Sequence, residues 1–552
     1  MAKPILLPFF LIFIVSLFLS SCGDDKYSVP DTDYEKVKTA LSGVEKNFTK
    51  NTLVYNTKLF TNVPFILCVR FNQTESKRWR FVFLFNYCII MMFILKIKNV
   101  GEMMNNGDKF KVTIESFDIN GYGVCHINNQ VVFVEGALEG EECEIKLTNV
   151  HKKYSFSVAT KIIKSSPNRI LSLEEFNDLS GECDLAHIDY DTELKIKELK
   201  VKNTLRGLEY KFNPIIKSDK IYNYRNKIMM PFGKDNDEVV YGFYKRNSHD
   251  IIDIKNDIMS SEIDNKILYL IKRYLVLFNV PIYDEKTLKG IFRSVMIRHT
   301  CNNDYMIVLI LTINYDFKRL VEILTNEIKE IKSIYLNINS KNTNVILSDE
   351  YILLYGDKII KENILGLDFE VYPQSFMQVN HDQCEKLYTE AIRMANLKSN
   401  MNVIDAYCGM GSITLNVAKK VNKVYGIEIV PEAIKNANTN KLINKIDNVE
   451  FICGPCENEI IKLTNKEKID LIIFDPPRKG CDINFLNTVI SMNIPKIVYV
   501  SCNISTAKRD IDILMKNNYA LEEVTPCDMF SRTSHVETIL LLTKKQLKKP
   551  RV

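Results

Sequence analysis

The sequence carries almost no net charge for a chain of its length. Among its 552 residues, 73 Lys and Arg stand against 68 Asp and Glu, which leaves a formal charge of +5. This small excess neither requires nor excludes a nucleic-acid partner, because a local basic face can exist on a nearly neutral chain. The sequence also lacks the polar bias of a disordered protein, since 46% of its residues are hydrophobic and 26% are charged. Its length predicts two to four domains.

The cysteines lack the regular spacing of a disulfide-rich secreted module. Fourteen of them are scattered irregularly along the chain. We therefore expect buried thiols in a protein of the reducing cytoplasm rather than a set of disulfides. One of the thiols can be reactive, and the surrounding residues must indicate which.

The first hundred residues differ from the rest of the chain. Residues 5–19 are apolar, and Leu19-Ser20-Ser21-Cys22 after them resembles the cleavage site of a bacterial lipoprotein. A second apolar run at 81–95 is short for a full membrane span. These segments predict a signal or lipoprotein-like extension over residues 1–102.

A different interpretation is that residues 1–102 are not part of the working protein. Met103 and Met104 lie just before Gly107, where a regular domain pattern begins. The start of the chain would then be misassigned, or residues 1–102 would be fused to the working protein. We favour this interpretation and predict a cytoplasmic protein, with a membrane partner only if residues 1–102 belong to the mature chain.

Residues 107–164 predict a small OB-like β-barrel. Five short alternating runs are separated by turns rich in Gly, Asn and Asp. Lys152, Lys153 and Tyr154 place cations beside an aromatic ring, a combination that single-stranded nucleic acids bind. A solvated strand edge protected by lysines explains these residues equally well.

The remainder of the chain divides into two patterns. Residues 170–365 predict a central α+β domain, with helical patterns at 191–207 and 262–278 and strand-like runs at 305–313 and 344–355. Residues 370–552 alternate between strands and helices from about residue 385 onward. This alternation predicts an α/β domain built on a doubly wound, Rossmann-like parallel sheet.

Three strand ends of the C-terminal domain carry residues typical of a nucleoside site, because ligands of such sheets bind at the carboxyl ends of the strands. The first strand leads into a loop with Gly409 and Gly411, the second ends at Glu428, and the fourth ends at Asp475 before two prolines. The loop lacks the third glycine of a dinucleotide fingerprint and is a weak signal alone. Together the three ends predict a nucleoside cofactor, although Glu428 could be a surface carboxylate and Asp475 a helix cap.

Two further residues at this edge suggest covalent chemistry. Cys502 follows the fifth strand, and Glu537 opens another apolar strand near the C-terminus. A cysteine is strongly nucleophilic as the thiolate, and a carboxylate can accept a proton. Considered alone, however, a cysteine in such a position is more often a small buried hydrophobe.

Several motifs in order resemble one family. The segments DAYCGMGSITL, YGIEIVPEAI, IIFDPPRKGC, VYVSCN and TSHVETILLL are similar to those of the RNA uracil-5-methyltransferases, over roughly residues 107–545. These enzymes make 5-methyluridine in ribosomal and transfer RNA with S-adenosyl-L-methionine. The segment 107–164 resembles the RNA-binding TRAM domain. The expected fold is therefore a class I methyltransferase domain with a central α+β domain and an N-terminal TRAM barrel.

The resemblance implies a role for each matching residue. Cys502 would be the nucleophile that adds to C6 of uracil, and Glu537 the base that removes the C5 proton. S-adenosylmethionine would be contacted by Gln378, Tyr407, Glu428 and Asp475. The aromatic ring of Phe376, in a Ser-Phe-x-Gln segment, would stack near a target base that has been turned out of the RNA. Tyr407 could instead pack under the glycine loop.

Two cysteine patterns need separate interpretation. Cys453-Gly454-Pro455-Cys456 has the spelling of a thioredoxin redox motif. It falls inside the methyltransferase sheet, after the third strand, and we do not assign it a redox function.

Many members of the family carry an iron–sulfur cluster on four cysteines. The matching positions here are Glu174, Ser180, Cys183 and Asp257. One thiolate cannot hold such a cluster. We therefore predict no iron–sulfur cluster and no metal ligands.

The predicted function is methylation of C5 of a uridine in structured RNA. We expect 23S ribosomal RNA as the target and transfer RNA as the alternative, with no DNA and no obligate protein partner. A competing enzyme class is an amino-group or cytosine methyltransferase, because Asp-Pro-Pro loops also serve exocyclic nitrogens. A competing function outside enzymes is a membrane-anchored, non-catalytic RNA-binding lipoprotein.

Overall fold

The computed structural model describes residues 104–179, 183–244, 250–341 and 345–545. They belong to one compact unit. The signal-like segment, the second apolar run and Ser180 lie outside the described residues. Within the described ranges, no helix combines the length and the apolar character that a membrane crossing requires.

An antiparallel-rich barrel forms the N-terminal part of the described chain. Its sheet has the order β1-β5-β6-β4-β3-β2, and its strands are β1 (Lys109–Thr113), β2 (Ser116–Phe117), β3 (Gly123–Ile127), β4 (Gln130–Glu135), β5 (Glu142–Val150) and β6 (Tyr154–Lys164). Alternate side chains of these strands, including Val132, Val134 and Ile145, fill the core. The five predicted runs become six strands because the first run is interrupted at Ile114, whose amide donates to the Glu141 carbonyl (2.9 Å).

Two helices and a short strand follow the barrel: α1 (Leu173–Asn177), α2 (Tyr190–Thr204) and β7 (Lys211–Phe212). Ser172 and Glu175 form a capping box at the start of α1. The side chain of Asp189 accepts a hydrogen bond from the Thr192 amide and caps α2. The helix predicted at 191–207 is therefore present and begins at an ordinary capping residue.

The central region contains a seven-stranded sheet of order β10-β9-β8-β11-β12-β13-β14. Helices α3 and α4 pack on its apolar core. Its elements are β8 (Lys227–Asp235), β9 (Glu238–Tyr244), β10 (Ile251–Asp253), α3 (Glu262–Leu277), β11 (Phe292–His299), β12 (Tyr305–Leu311), α4 (Lys318–Glu327), β13 (Ile331–Ile338) and β14 (Tyr351–Gly356). A separate hairpin, β15 (Ile360–Ile364) and β16 (Leu367–Val371), follows the sheet.

The strand-like run at 344–355 becomes a strand only over its second half, Tyr351–Gly356. Asn339 donates side-chain hydrogen bonds to the carbonyls of Val345 and Ile346. Asn337 does the same for Ser348 and Glu350. These amides satisfy the carbonyls without a neighbouring strand, so the segment stays irregular although its composition is apolar.

The C-terminal part contains an eight-stranded sheet of order β19-β18-β17-β20-β21-β23-β22-β7. Strands β17 to β21 are parallel, and β23 lies antiparallel between β21 and β22. The elements are α5 (His381–Ala395), β17 (Asn402–Ala406), α6 (Ser412–Ala418), β18 (Lys423–Glu428), α7 (Pro431–Ile443), β19 (Val449–Cys453), α8 (Cys456–Thr464), β20 (Leu471–Phe474), α9 (Ile483–Ser491), β21 (Lys496–Ser501), α10 (Ile504–Lys516), β22 (Tyr519–Cys527) and β23 (Glu537–Lys544). The predicted Rossmann-like alternation is confirmed.

Residues 190–212 fall in the region predicted as central but pack on this C-terminal sheet. Strand β7 pairs in parallel with β22, Phe212 opposite Val524. Leu194 and Val201 of α2 share a buried cluster with residues of the sheet. The eight-stranded sheet therefore draws on two separate stretches of the sequence.

Candidate active site

The glycine loop after β17 turns sharply at the carboxyl edge of the sheet. Tyr407, Gly409 and Gly411 have φ angles of 63°, 54° and 85°. A Cβ atom on Gly411 would lie 2.6 Å from the Cζ atom of Phe451, and one on Gly426 would lie 2.5 Å from its Cδ1 atom. These two positions therefore have room only for glycine, and the ring of Phe451 supports the loop from below.

Glu428 lies at the end of β18, beside the glycine loop. Its carboxylate accepts hydrogen bonds from the amides of Gly409 (3.2 Å), Ile429 (2.8 Å) and Val430 (3.0 Å). The side chain is thus held by backbone and remains partly exposed at the strand end. Tyr407 packs against Phe485 of α9, with ring centroids 5.3 Å apart.

Gln378 and Asp475 meet although they are distant in the sequence. The Gln378 Nε2 atom donates to the Asp475 carboxylate (3.2 Å), and the Asn226 side chain holds the Gln378 carbonyl (3.0 Å). Phe376, two residues before Gln378, is 66% exposed. The segment that carries both residues is therefore fixed at Gln378, while a large aromatic ring faces the solvent.

Cys502 and Glu537 come from adjacent strands. Ser501, at the end of β21, pairs with Thr538 of β23. Cys502 follows Ser501, and Glu537 precedes Thr538. Because the two strands are antiparallel, continuation of this register puts Cys502 beside Glu537. Cys502 is partly buried, whereas Glu537 is 3% exposed. Its Oε2 atom has no hydrogen-bond partner among the described residues.

Buried acids dominate the electrostatics of this edge. Burial, followed by the Glu537 and Asp475 carboxylates, raises the pKa of the Cys502 thiol to about 11, and Arg478 opposes this effect. Burial and Asp475 raise the pKa of Glu537 well above its ordinary value. Burial also raises the pKa of Asp405 to about 7, and burial with Asp405 raises that of Asp475. The ligand-free edge therefore favours protonated acids and a neutral thiol.

Two residues of this edge were not assigned a role from the sequence. Asp405 is the last acid of β17 and accepts a hydrogen bond from the Thr414 hydroxyl (2.5 Å). Arg478 is exposed and is the cation whose charge favours the Cys502 thiolate. Asp405 is the first residue of the DAYCGMG motif, and Arg478 directly follows Asp-Pro-Pro. Their positions were therefore visible in the sequence, but the charges that surround them were not.

A buried ionic network holds the loop between β22 and Glu537. The ammonium group of Lys197 on α2 donates to Glu193 (2.7 Å), to Asp528 (2.5 Å) and to the Phe530 carbonyl (3.0 Å). Arg532 of the loop has its guanidinium 3.3 Å from Glu193. Helix α2 thus fixes the segment that leads into β23 and the side chain of Glu537.

Cys183 and Asp257, two of the three described positions that match the iron–sulfur ligands of other family members, have local structural contacts. Cys183 packs in a small apolar cluster with Ala186, Tyr224 and Met259. Asp257 is buried and accepts hydrogen bonds from the Ser260 hydroxyl (2.6 Å) and the Met259 amide (3.1 Å). The carboxylate oxygens of Asp257 are thus engaged in a local turn.

The Cys-Gly-Pro-Cys segment lies at the junction of β19 and α8. Cys453 is exposed and Cys456 is buried, and both are free thiols. Burial raises the pKa of Cys456 to about 12. The Cys456 thiol therefore resists ionisation.

The barrel carries an aromatic surface beside the two predicted lysines. Tyr154 is 40% exposed, and its ring centroid lies 4.7 Å from that of His151 and 5.8 Å from that of Phe156. Lys152 and Lys153 are exposed between His151 and Tyr154. Cations and exposed rings therefore occupy one strand connection, as predicted from the sequence.

Comparison with known proteins matches two regions of the chain. The sequence model of the tRNA (uracil-5-)-methyltransferase family matches residues 189–545, and that of the TRAM domain matches residues 104–160. An uncharacterized RNA methyltransferase of Fusobacterium nucleatum is 39% identical over 460 residues, which cover 82% of this chain and 98% of the relative. One from Clostridium tetani is 39% identical over 441 residues, covering 79% and 96%.

One solved structure is similar over most of the described chain. It is the Pyrococcus abyssi tRNA (uracil-54, C5)-methyltransferase in complex with S-adenosyl-L-homocysteine. The TM-score is 0.64 at 25% identity, and the match covers 78% of this chain and 99% of that one. The similarity extends over the whole length of the archaeal enzyme.

Proposed function

Because this chain belongs to the tRNA (uracil-5-)-methyltransferase family and is an S-adenosylmethionine-dependent RNA methyltransferase, we propose that it methylates C5 of a uridine through a covalent bond between Cys502 and C6. The observation that carries this proposal is the placement of Cys502 beside Glu537 on neighbouring strands. An enzyme that methylates an exocyclic amino group needs neither a thiol nor a second base at this position.

The charge of the edge supports a cationic cofactor. Asp405, Asp475 and Glu537 have no Lys or Arg within ion-pair distance in the part of the chain that the structure describes. Asp405 and Glu537 are buried and Asp475 is half-buried. Carboxylates withdrawn from water without a counter-charge are costly, and a positive ligand relieves that cost. The residues proposed to hold S-adenosylmethionine are Gln378, Tyr407, Glu428 and Asp475. When bound, the cofactor supplies the methyl group on a sulfonium, whose positive charge also favours the ionised forms of the neighbouring acids.

The proposed reaction starts at the thiol. Cys502 loses its proton to solvent, and its sulfur then forms a bond to C6 of the uracil ring, while the C5–C6 double-bond electrons move toward C5 and O4. The resulting carbon nucleophile at C5 would take the methyl group of bound S-adenosylmethionine, whose methyl–sulfur bond would break to leave a neutral thioether. Glu537 then removes the remaining C5 proton, the double bond re-forms, and the Cys502 thiolate is expelled. The proton on Glu537 passes to solvent.

The raised pKa of Glu537 suits this last step. A carboxylate in an apolar pocket is a stronger base than one in water, because its charged form is poorly solvated. The unpartnered Oε2 atom is the free acceptor for the C5 proton. The exposed Arg478 lowers the pKa of the Cys502 thiol by its charge and would stabilise the thiolate that leaves.

RNA contacts are proposed at two places. The aromatic and basic surface of the barrel, at His151 to Phe156, would bind the RNA backbone and stack on bases. The exposed ring of Phe376 would stack on or beside the target base after it leaves its helix. The reaction is placed in the cytoplasm, which fits the free thiols of the described chain.

The proposed target is 23S ribosomal RNA, and this choice rests on analogy with relatives that carry a TRAM domain. Transfer RNA is the second candidate. It is favoured by the structural similarity to an archaeal enzyme that acts on uridine 54 of tRNA. Incubation of unmodified transcripts of both RNAs with labelled S-adenosylmethionine, followed by mapping of 5-methyluridine, would decide between them.

A trapping experiment tests the mechanism. RNA that contains 5-fluorouridine should form a denaturation-resistant complex with the wild-type protein, because fluorine at C5 cannot be removed by Glu537. Cys502→Ala should form none, and Cys453→Ala should react like wild type because this exposed thiol lies elsewhere. Glu537→Gln should accumulate an adduct with ordinary RNA. No wild-type adduct, or an undiminished one with Cys502→Ala, would refute the proposal.

The same assay tests Phe376. Phe376→Ala should slow adduct formation, and Phe376→Tyr should restore it, because a base–aromatic stack contributes about 1–3 kcal/mol. An unchanged rate for Phe376→Ala would remove this residue from the proposed RNA site.

A further inference from the structure

Three potential metal ligands meet outside the set of residues proposed for the reaction. Cys301 lies in the turn between β11 and β12, Glu362 lies in β15, and His381 is the first residue of α5. The thiol sulfur, a carboxylate oxygen and a ring nitrogen all lie within 4.8 Å of one another. No two of these residues are near each other in the sequence, so only the fold brings them together.

Glu362 is the least ordinary member of this group. Its side chain is fully buried, and Oε1 accepts hydrogen bonds from the amides of Asn363 (2.9 Å) and Cys301 (3.3 Å). Its ion-pair partner among the described residues is His381, with Nδ1 3.4 Å from Oε1. A neutral imidazole would leave this buried carboxylate without a counter-charge, whereas a metal cation would supply one.

A second carboxylate, that of Glu385, lies near the other ring nitrogen of His381. Its Nε2 atom lies 3.9 Å from a carboxylate oxygen of Glu385, one helical turn further along α5. The same oxygen accepts a hydrogen bond from the Leu365 amide (2.7 Å), which fixes its position. Histidines that bind metals commonly direct their second ring nitrogen to a carboxylate in this way.

We propose that Cys301, Glu362 and His381 bind one divalent cation of the zinc class. A thiolate, an imidazole and a carboxylate form a mixed S, N and O set that suits Zn²⁺ and does not suit Mg²⁺ or Ca²⁺. Bonds of about 2.0–2.3 Å to a tetrahedral centre require ligand atoms about 3.3–3.8 Å apart. Small side-chain rotations from the observed separations are sufficient, and water can complete the tetrahedron.

The bound cation would act as a clamp between two parts of the chain. Cys301 belongs to the seven-stranded central sheet, and His381 begins the helix that follows the segment with Phe376 and Gln378. Coordination would hold this segment, at the start of α5, against the β11–β12 turn. The proposed role is therefore positional, and the ion takes no part in methyl transfer.

Cobalt substitution tests the site in the full-length chain. After treatment with a chelator and a thiol reductant, titration with Co²⁺ should give one equivalent of a tetrahedral visible spectrum and a near-ultraviolet thiolate-to-cobalt band. Addition of Zn²⁺ should abolish both. Cys301→Ser should lose the thiolate band, and Cys453→Ser, which removes another exposed thiol, should keep it. Circular dichroism checks that each variant is folded.

Two variants on α5 extend the test beyond the cysteine. His381→Asn should abolish tetrahedral binding, and Glu385→Gln should weaken Zn²⁺ binding by about 10–100-fold, as is usual for a residue that orients a ligand. A thiolate band that survives in Cys301→Ser, binding unaffected by His381→Asn, or an octahedral spectrum without a thiolate band would overturn the proposal. None of these measurements depends on methyltransferase activity.

Discussion

Replacement of Lys197 by methionine removes the centre of the buried network that holds the loop before Glu537. The Lys197 ammonium is 0% exposed and contacts Glu193 and Asp528 at 2.7 and 2.5 Å. Burial lowers the pKa of Lys197, but the two carboxylates outweigh it and keep the group charged. Methionine preserves much of the side-chain volume, so the substitution tests the charge rather than the packing.

The expected cost follows from the partners that remain. Removal of one member of a buried ion pair costs about 3–5 kcal/mol, because the other charge stays buried without compensation. Asp528 keeps the hydroxyls of Tyr190 (2.6 Å) and Ser531 (2.7 Å), and Glu193 keeps the amide of Arg532 (2.7 Å). These remaining donors keep the expected loss within that range and not above it. At about 2.1 cal/mol/K of unfolding entropy per residue over the described residues, the melting temperature should fall by about 3–6 °C.

Thermal and urea unfolding, followed by circular dichroism, measure this loss. Lys195→Met is the matched control, since Lys195 is exposed on the same helix and a surface change of this kind costs about 0.5 kcal/mol or less. A second substitution, Asp528→Asn in the Lys197→Met background, should recover part of the loss, because Asp528 has lost its counter-charge whereas Glu193 still faces the Arg532 guanidinium (3.3 Å). Equal stability of Lys197→Met and Lys195→Met would refute the argument that the ion pairs of Lys197 stabilise the loop before Glu537.

Two further predictions concern titration at the edge of the sheet. The rate at which iodoacetamide alkylates Cys502, measured by mass spectrometry, should rise as the pH approaches the Cys502 pKa of about 11. Alkylation should be slower in Arg478→Gln and faster in Glu537→Gln. Equal rates in the wild type and both variants would contradict the charge effects assigned to Arg478 and Glu537. Burial raises the pKa of Asp405 from 3.8 to about 7. Between these two values the folded protein keeps a proton on Asp405 that the unfolded chain releases. The protein without cofactor should therefore lose stability as the pH rises from about 4 to about 7. Asp405→Asn should reduce this loss by up to about 4 kcal/mol, and unfolding curves with the same pH dependence in both proteins would disprove it.

Local pattern was sufficient to predict the strands that form the cofactor edge. The runs at 402–406 and 496–501 coincide with β17 and β21, because strands buried on both faces have continuous apolar sequences. The carboxyl ends of the parallel strands β18, β20 and β21 place Glu428, Asp475 and Cys502 at one edge by topology alone. These site positions could therefore be predicted without knowledge of any contact.

Contacts between distant segments could not be predicted in the same way. The pairing of Phe212 with Val524 and the bond from Lys197 to Asp528 join residues more than three hundred positions apart. Periodicity reports which face of an element is buried, but not which element covers it. The carbonyls bound by Asn337 are a similar case, since a strand-like composition was overridden by side-chain hydrogen bonds.

The membership of α2 and β7 in the eight-stranded sheet has a consequence for the design of fragments. In chain order the central sheet is an insertion, placed between residues 190–212 and the rest of the domain to which they belong. A fragment that starts at residue 370 would lack one edge strand, expose the apolar face of β22 and lose the cation that faces Asp528. An excised catalytic domain would need residues 190–212 joined to 370–545 by a linker that replaces the insertion, and during synthesis this domain can close only after its last strand is made.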